Sequence, residues 1–320
     1  MINSYHKIYI AGHNGMVGSA IERKLRKDGV ENIITRNKSD LDLTDQISVR
    51  NFLQKEKPDY VLIAAAKVGG IHANNKYPAD FIYQNLMIQT NLINESFLAG
   101  INNLLFLGSS CIYPKSSAQP IKEEYLLSGF LEETNEPYAI AKIAGIKLCD
   151  SYNRQYGTDY RSIMPTNLYG QNDNFKDNNS HVVPALIRKF HEAKIRKKPF
   201  VAVWGSGKPM REFMHVDDMA EASIYIMSLD KFTFEKSNIS NFSHINIGTG
   251  QEISINNLAQ MIKKVVGYSG EIRFDPDMPD GTFKKMLDVS KINKMGWSHS
   301  ISLKCGLEDT YKWFLRNQDK

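Results

Sequence analysis

The 320-residue chain has only three cysteines, Cys111, Cys149 and Cys305, and they stand far apart. An odd, scattered set forms neither a disulfide framework nor a zinc site, so no metal is expected. No apolar run approaches the ~20 residues of a membrane span. No leader-like segment precedes the strand-like Lys7-Ile8-Tyr9-Ile10, so the expectation is a cytoplasmic protein without a membrane partner. Arg-rich runs and alternating basic and aromatic residues are also missing, which argues against a nucleic-acid partner. Internal repeats and low-complexity tracts are absent. The densest basic stretch, residues 188 to 198, reads first as a solvated helix face.

The composition that remains is that of an ordinary globular chain. A hydrophobic share of 42% and a charged share of 23% are enough for one large core or two smaller ones. The net charge of +5 is mild. It suits an anionic nucleotide substrate and equally a surface tuned for solubility.

Lys7 to Ala11 is an apolar strand running into Gly12-His13-Asn14-Gly15-Met16-Val17-Gly18. Val17, Ile21 and Leu25 then recur every four residues, so a helix follows. Strand, glycine turn and helix in that order form a pyrophosphate cradle. The glycines let the backbone approach, and the helix N-terminus supplies N–H donors and a positive dipole. The same order also serves as a tight turn without a ligand. The second strand, Asn32 to Thr35, ends in Arg36-Asn37-Lys38 instead of the acidic residue that usually holds an unphosphorylated ribose. Two cations suit a 2′-phosphate, which favours NADP, although a solvated turn has the same composition. Asp40-Leu41-Asp42-Leu43 is placed to lie along an adenine.

Val61 to Ala66 reads as a buried parallel strand leading into the loop Lys67-Val68-Gly69-Gly70-Ile71. Asn85 to Ala99 reads as a helix. Leu104 to Leu107 is the next strand, and it delivers Gly108-Ser109-Ser110-Cys111-Ile112-Tyr113-Pro114 to the same sheet edge. Ser162 to Pro165 does the same for Thr166-Asn167-Leu168-Tyr169-Gly170. In open α/β sheets these carboxyl ends face the ligand.

Pro137-Tyr138-Ala139-Ile140-Ala141-Lys142 places a Tyr and a Lys on one helix face, four residues apart. A phenol with a pKa near ~10 is a slow acid at neutral pH, and a nearby ammonium lowers that value toward the useful range. Ser109, from another element, can hold the same carbonyl oxygen.

Beyond Gly170, residues 172 to 180 and 270 to 281 are expected as loops. His181-Val182-Val183-Pro184 starts a helix, Val201 to Gly205 is a strand, and Met210 to Asp218 is expected to return to the main sheet. The fold expected is α/β: a Rossmann-type doubly wound parallel sheet with a smaller C-terminal substrate-binding lobe. The main domain takes 1–170 and about 212–248, and the lobe about 171–211 and 249–320.

With these residues placed, the chain resembles an extended short-chain dehydrogenase/reductase of the GDP-L-fucose synthase family over essentially its whole length. The matching stretches are AGHNGMVG (11–18), AAAKVGGI (64–71), GSSCIYP (108–114), NEPYAIAKIAGIKL (135–148), MPTNLYG (164–170) and WGSGKPMREFMHVDD (204–218). The resemblance implies an epimerase-reductase that takes a GDP-linked 4-keto-6-deoxy sugar through 3,5-epimerisation and then reduces C4 with NADPH. Tyr138 would donate the proton to O4, Lys142 would tune it and touch the ribose, and Ser109 would hold the C4 oxygen. Cys111 would be the base and His181 the acid of epimerisation.

Cofactor contacts would come from Gly12, Asn14, Gly15, Met16, Val17, Gly18, Arg36, Lys38, Asp42, Leu43, Ala65, Lys142, Asn167, Leu168 and His181. Lys189, Trp204, Arg211 and Asp280 would hold the GDP-sugar. Asn14 and Lys189 stand where the family commonly has Arg. The family implies a homodimer built on helices of the main domain.

Taken alone, Cys111 reads as a small core residue, His181 as a helix cap or surface residue and Trp204 as core. Arg211 reads as a structural ion pair with Glu212 or Asp217. Cys149 reads as a helix-face residue and Cys305 as a C-terminal packing residue. The motifs do not separate this reading from a GDP-L-colitose synthase, which epimerises C5 only. A GDP-mannose 4,6-dehydratase would want an acidic residue near the central serine, where Cys111-Ile112 stand. A third rival is a non-catalytic NADP-sensing module. Such a module would have no need of Ser109, Tyr138 and Lys142 together.

Overall fold

The computed structural model describes residues 2–176, 180–236, 243–278, 280 and 282–317, without the side chains of 71 and 72. The chain opens with β1 (Ile8–Ala11), α1 (Met16–Lys27), β2 (Ile33–Ile34), α2 (Gln46–Glu56), β3 (Tyr60–Ile63), α3 (Ile71–Lys76), α4 (Pro78–Leu98), β4 (Asn103–Leu107), α5 (Glu136–Tyr156) and β5 (Asp159–Pro165). It continues with β6 (Asn167–Tyr169), α6 (Val182–Ile195), β7 (Phe200–Trp204), β8 (Met210–His215), α7 (Val216–Ser228), α8 (Lys231–Lys236) and β9 (Ile245–Ile247). β10 (Glu252–Ser254), α9 (Ile255–Val266), β11 (Glu271–Asp275), β12 (Lys284–Lys285), α10 (Ser290–Lys294) and α11 (Leu303–Arg316) close it.

The main sheet runs β2-β1-β3-β4-β5-β9 and is parallel throughout. Its strands are apolar on both faces because helices cover both sides. Ile8 and Ile10 point to the face covered by α1 and α7, and Tyr9 and Ala11 to the face covered by α2, α4 and α5. The strand order turns back at β1, so loops leaving β1 and β3 diverge and open a crevice at their carboxyl ends.

Local chemistry explains the helix ends. Asp45 caps α2, its Oδ1 accepting from the backbone N–H of Ile47 at 3.0 Å. α5 has Pro137 in its first turn and stops at Gly157, which adopts a left-handed φ of 72°. α4 begins at Pro78, seven residues before the helix expected from Asn85, because a proline is well placed in a helix's first turn. β3 stops at Ile63, and the apolar Ala64-Ala65-Ala66 continues as loop.

Three expectations are corrected. Met210 to His215 does not return to the main sheet. β8 pairs with β10, β12 and β6 in a second sheet, and α7 and β9 return to the main body instead. Residues 270 to 281 are not all loop, since Glu271–Asp275 forms β11, parallel to β7. Both errors come from pairings between distant segments that no local pattern encodes. Cys305 is exposed and not a packing residue, whereas Cys149 is buried. Of the two expected loops, 177–179, 279 and 281 lie outside the described residues.

A separate apolar cluster joins α6, β7, α9 and α11 through Ile187, Phe190, Val203, Ile262 and Phe314. It carries the elements that follow the crevice in the chain.

Candidate active site

The carboxyl ends of β1, β3, β4 and β5 wall a cavity of about 670 Å³. At its floor the glycine turn is held by close approach. Gly12 has φ +91°, and a Cβ there would lie 2.6 Å from the Ala65 nitrogen. A Cβ on Gly18 would overlap the Gly12 carbonyl oxygen. Gly15 caps α1 without a side-chain hydrogen bond, so the first-turn N–H groups remain available to a ligand.

The cavity wall brings together Gly12, Asn14, Gly15, Met16, Val17, Gly18, Arg36, Lys38, Asp42, Leu43, Ala65, Lys142, Asn167, Leu168 and His181. At the β2 end the Asn14 amide donates to Asn37 Oδ1 at 2.9 Å. Arg36 pairs with Glu56 at 2.9 Å and lies over the Phe52 ring at 5.1 Å. Glu56 also holds Lys7 at 2.9 Å, and these cations keep its carboxyl below the usual range, the Lys7 hydrogen bond most of all. A glycine cradle at a bare helix N-terminus, with two cations beside it, fits a phosphorylated dinucleotide.

Ser109, Tyr138 and Lys142 line the same cavity. Ser109 precedes a single 3₁₀ turn, Ser110–Ile112, and caps it, its Oγ accepting from the Cys111 N–H at 3.4 Å. The buried Cys111 Sγ lies 3.1 Å from Ser109 Oγ. The ring of Phe81 meets that of Tyr138 edge-on, centroids 6.4 Å apart.

Lys142 is buried. Its ammonium donates to the Leu107 carbonyl at 2.8 Å and lies over the rings of Phe106 and Tyr138 at 4.8 and 5.8 Å. Burial lowers Lys142 to about 8, while the negative charge of Cys111 acts the other way. Burial also pushes the Tyr138 phenol well above its ordinary value, with the Cys111 charge adding to the rise and the Ser109 hydroxyl opposing it. His181 sits at the N-cap position of α6 without a side-chain cap bond. Its ring opens onto the cavity, yet the walls crowd it enough to disfavour the imidazolium.

The four residues expected to hold the GDP-sugar lie outside that wall, in an open cluster around the end of β7. Lys189 reaches over the Trp204 ring at 5.3 Å, and Trp204 is 58% exposed. Asp280 accepts from Ser206 N–H at 2.6 Å and from Ser206 Oγ at 2.8 Å. Arg211 is half-buried, lowered by burial and supported by Asp280. Asp217 pairs with Arg23 at 2.7 Å, and Glu212 binds backbone N–H groups.

Several residues of the site were not read from the sequence. Lys285, on β12, faces the Cys111 charge. Asn85 clamps the loop after β3, accepting from Lys67 N–H at 2.9 Å and donating to Lys67 carbonyl at 3.0 Å. A polar Asn on the buried face of an apolar helix was the available signal for it. Lys285 carried no signal, because its place depends on the distant pairing of β12 with β8.

The family model for the NAD dependent epimerase/dehydratase family matches residues 8–248. The chain belongs to that family. Within the family it is similar to the GDP-L-fucose synthase of Escherichia coli (strain K12), 58% identical over 317 residues, covering 99% of both chains. The GDP-L-colitose synthase of Yersinia pseudotuberculosis is 37% identical over 314 residues, covering 98% of this chain and 99% of that one. A solved GDP-mannoheptose C4 reductase from Campylobacter jejuni with NADP bound superposes with a TM-score of 0.90 at 41% identity, covering 98% of this chain and 100% of that one. This epimerase/dehydratase chain thus shares its whole length with enzymes of GDP-sugar chemistry. Among its described residues, no helix is long and apolar enough to cross a membrane.

Proposed function

We propose that the chain converts a GDP-linked 4-keto-6-deoxy-mannose-type sugar to GDP-L-fucose, by 3,5-epimerisation followed by NADPH-dependent reduction at C4. The observation that carries this reading is the Cys111 thiol, 3.1 Å from the Oγ of Ser109, which lines one cavity with Tyr138 and Lys142. A plain ketoreductase needs the serine and the tyrosine. A thiol beside them adds a carbon base next to the polarised carbonyl.

A C4 ketone acidifies the protons on C3 and C5. Cys111 removes one, and the hydroxyls of Ser109 and Tyr138 stabilise the enolate oxygen. His181, from a different element, returns a proton from the opposite face, which inverts the centre. NADPH supplies the hydride that reduces C4. Tyr138 then gives its proton to O4. Lys142, lowered to about 8 by burial, provides a cation whose charge responds to its surroundings near neutral pH.

Gly12 to Gly18 hold the pyrophosphate, and Arg36 and Lys38 receive the 2′-phosphate. Lys189, Trp204, Arg211 and Asp280 hold the GDP-sugar. The residues up to 170 with about 212–248 serve the cofactor, and the lobe of about 171–211 with 249–320 serves the sugar nucleotide. We place the enzyme in the cytoplasm as a homodimer. Tyr83 and Leu98 on α4, and Ile140 and Tyr156 on α5, leave apolar surface exposed on the two packed helices, which supports that assembly.

The colitose reading, with epimerisation at C5 alone, is the alternative. The higher identity to the fucose synthase supports the first reading. The test is incubation with NADPH and each of the two ketosugars, followed by mass and NMR analysis of the products. GDP-L-fucose from the 3-hydroxy ketosugar is expected. Turnover of the 3-deoxy ketosugar alone would overturn the assignment. Tyr138→Phe should lose C4 reduction by ~10²–10⁴-fold and still bind NADPH.

A further inference from the structure

We infer that Tyr113 is a positioning residue that holds Cys111 for ring-proton transfer, without acting on the groups that reduce C4. This rests on the epimerase-reductase reading and deepens it. Cys111 is the middle residue of the 3₁₀ turn Ser110–Ile112, and Tyr113 ends that turn. The Tyr113 phenol donates to the side-chain oxygen of Asn246 on β9, and His244 Nε2 lies 3.1 Å from the same hydroxyl. Tyr113, His244 and Asn246 are all buried.

The turn is fastened differently at its two ends. Ahead of Ser109, the Gly108 N–H donates to the Ile163 carbonyl at 2.9 Å, so the main sheet fixes the entry and with it Ser109. From Tyr113 to Pro120 the backbone lies in no helix or strand. The cap from Cys111 N–H to Ser109 Oγ is 3.4 Å long, beyond the usual range for such a bond. The exit is therefore held by side chains: Ile112 packed in the core, and the Tyr113 hydroxyl on β9.

Asn246 is a firm anchor. Its amide nitrogen donates to the carbonyls of Ile121 at 2.9 Å and Asp288 at 3.2 Å, and its backbone N–H donates to Glu123 Oε1 at 3.0 Å. Ile121 accepts from Asp288 N–H and donates to the Met286 carbonyl, both at 2.8 Å. With both donors and the acceptor of one amide engaged, the turn, the chain beyond it and the segment after β12 are fixed to β9. None of these bonds involves α5, which carries Tyr138 and Lys142, or the glycine turn. A reacting group misplaced by about 1 Å can lose ~10²-fold in rate, so a loosened Cys111 affects proton transfer first.

The two halves of the reaction can be read apart. Deuterium entry into the ring of GDP-4-keto-6-deoxy-mannose in D₂O, with NADP⁺ in place of NADPH, reports proton transfer without reduction. The initial rate of GDP-L-fucose oxidation by NADP⁺ reports hydride transfer without inversion. Tyr113→Phe keeps the ring and removes the hydroxyl. It should slow deuterium entry by about 10–100-fold and leave oxidation within roughly threefold of the parent. Deuterium entry within that same margin, or an equal loss in both reactions, overturns the proposal. Tyr160→Phe is the matched control. It removes another buried hydroxyl, which donates to the Ile101 carbonyl at 2.8 Å near the opposite end of the sheet. An equal slowing of deuterium entry in that variant would show general loosening and also overturns the proposal. A parent that exchanges no ring proton overturns the epimerase reading beneath, which is a distinct result.

NADPH binding by fluorescence confirms that the variants fold. Amide hydrogen exchange gives a readout independent of turnover. Peptides covering residues 109–113 should exchange faster in Tyr113→Phe, while those covering 136–148 match the parent. Unchanged protection at 109–113 breaks the tie between Tyr113 and the turn.

Discussion

Lys142 gives its ammonium to the carbonyl oxygen of Leu107, 2.8 Å away, while its charge lies over the faces of the Phe106 and Tyr138 rings. The cation is therefore fixed to the strand that ends at Ser109, before any ligand arrives. Its burial is unfavourable, and the folded value falls to about 8 from an ordinary 10.5. Both folded and unfolded chains are protonated below pH 8, so the destabilisation is fully present there. It fades as pH rises from about 8 to 10.5. Lys142→Met should raise the stability of the cofactor-free protein at pH 7 by roughly 2 kcal/mol, the burial term less one hydrogen bond. The gain should shrink by pH 10, and C4 reduction should be lost. Urea unfolding at the two pH values checks this, and a variant less stable at pH 7 would refute it.

Arg36 and Lys7 share Glu56, so that carboxylate is already neutralised. A 2′-phosphate can then approach Arg36 without meeting an unpaired charge on Glu56. Arg36→Ala should weaken NADPH binding about tenfold or more, in line with a charge-assisted contact of ~1.5–3 kcal/mol. NADH binding should change less than twofold. Equal losses for both cofactors in fluorescence titration would remove Arg36 from the phosphate site.

Glu212 is fully buried, and its carboxylate accepts from Thr249 N–H at 2.6 Å, Gly250 N–H at 2.8 Å and Leu287 N–H at 2.9 Å. Its own carbonyl accepts from the Asn167 amide at 2.9 Å. Glu212→Gln turns one acceptor into a donor facing a donor. The expected cost is about 2–4 kcal/mol in the urea midpoint. The KM for the sugar nucleotide should rise too, since Arg211 and Lys285 sit on strands this residue joins. A variant within 0.5 kcal/mol, a change of the size typical at surface sites, would show the contacts to be incidental.

Much of the site could be read in the sequence because it is local. Three glycines in seven residues, a Ser-Ser-Cys turn at a strand end, and a Tyr and Lys four apart each specify their geometry over a few residues. β8 and β11 were misread because their partners lie far along the chain, β10 and β12 for one and β7 for the other. Glu212 and Lys285 escaped for the same reason. A buried Glu in Met-Arg-Glu-Phe-Met looks like a surface charge until three N–H groups from two other segments converge on it. Nor could the sequence show that Lys142 would lie over the faces of the Phe106 and Tyr138 rings.

Among the described histidines, His244 is fully buried, and its Nε2 lies 3.1 Å from the Tyr113 hydroxyl. Burial lowers it to about 3, with Lys291 and Lys147 adding to the effect. The folded chain keeps it neutral while the unfolded chain protonates it below about 6.5. Stability should therefore fall with pH from about 6.5 downward, by about 1.4 kcal/mol per unit for this one group. His181 and His215 act in the same sense. His244→Gln should flatten the slope between pH 6 and 4 by about that amount in urea titrations. An unchanged slope would place the acid sensitivity elsewhere.

The contact between Gly18 and the Gly12 carbonyl has a consequence for how the pocket came to exist. The helix is seated so tightly on the turn that neither position has room for a side chain. The space proposed for the pyrophosphate is thus a by-product of docking α1 on the sheet. It is complete when the core is complete. Any mutation that loosens α1 from α7, however far from the crevice, would then be felt first as weaker cofactor affinity.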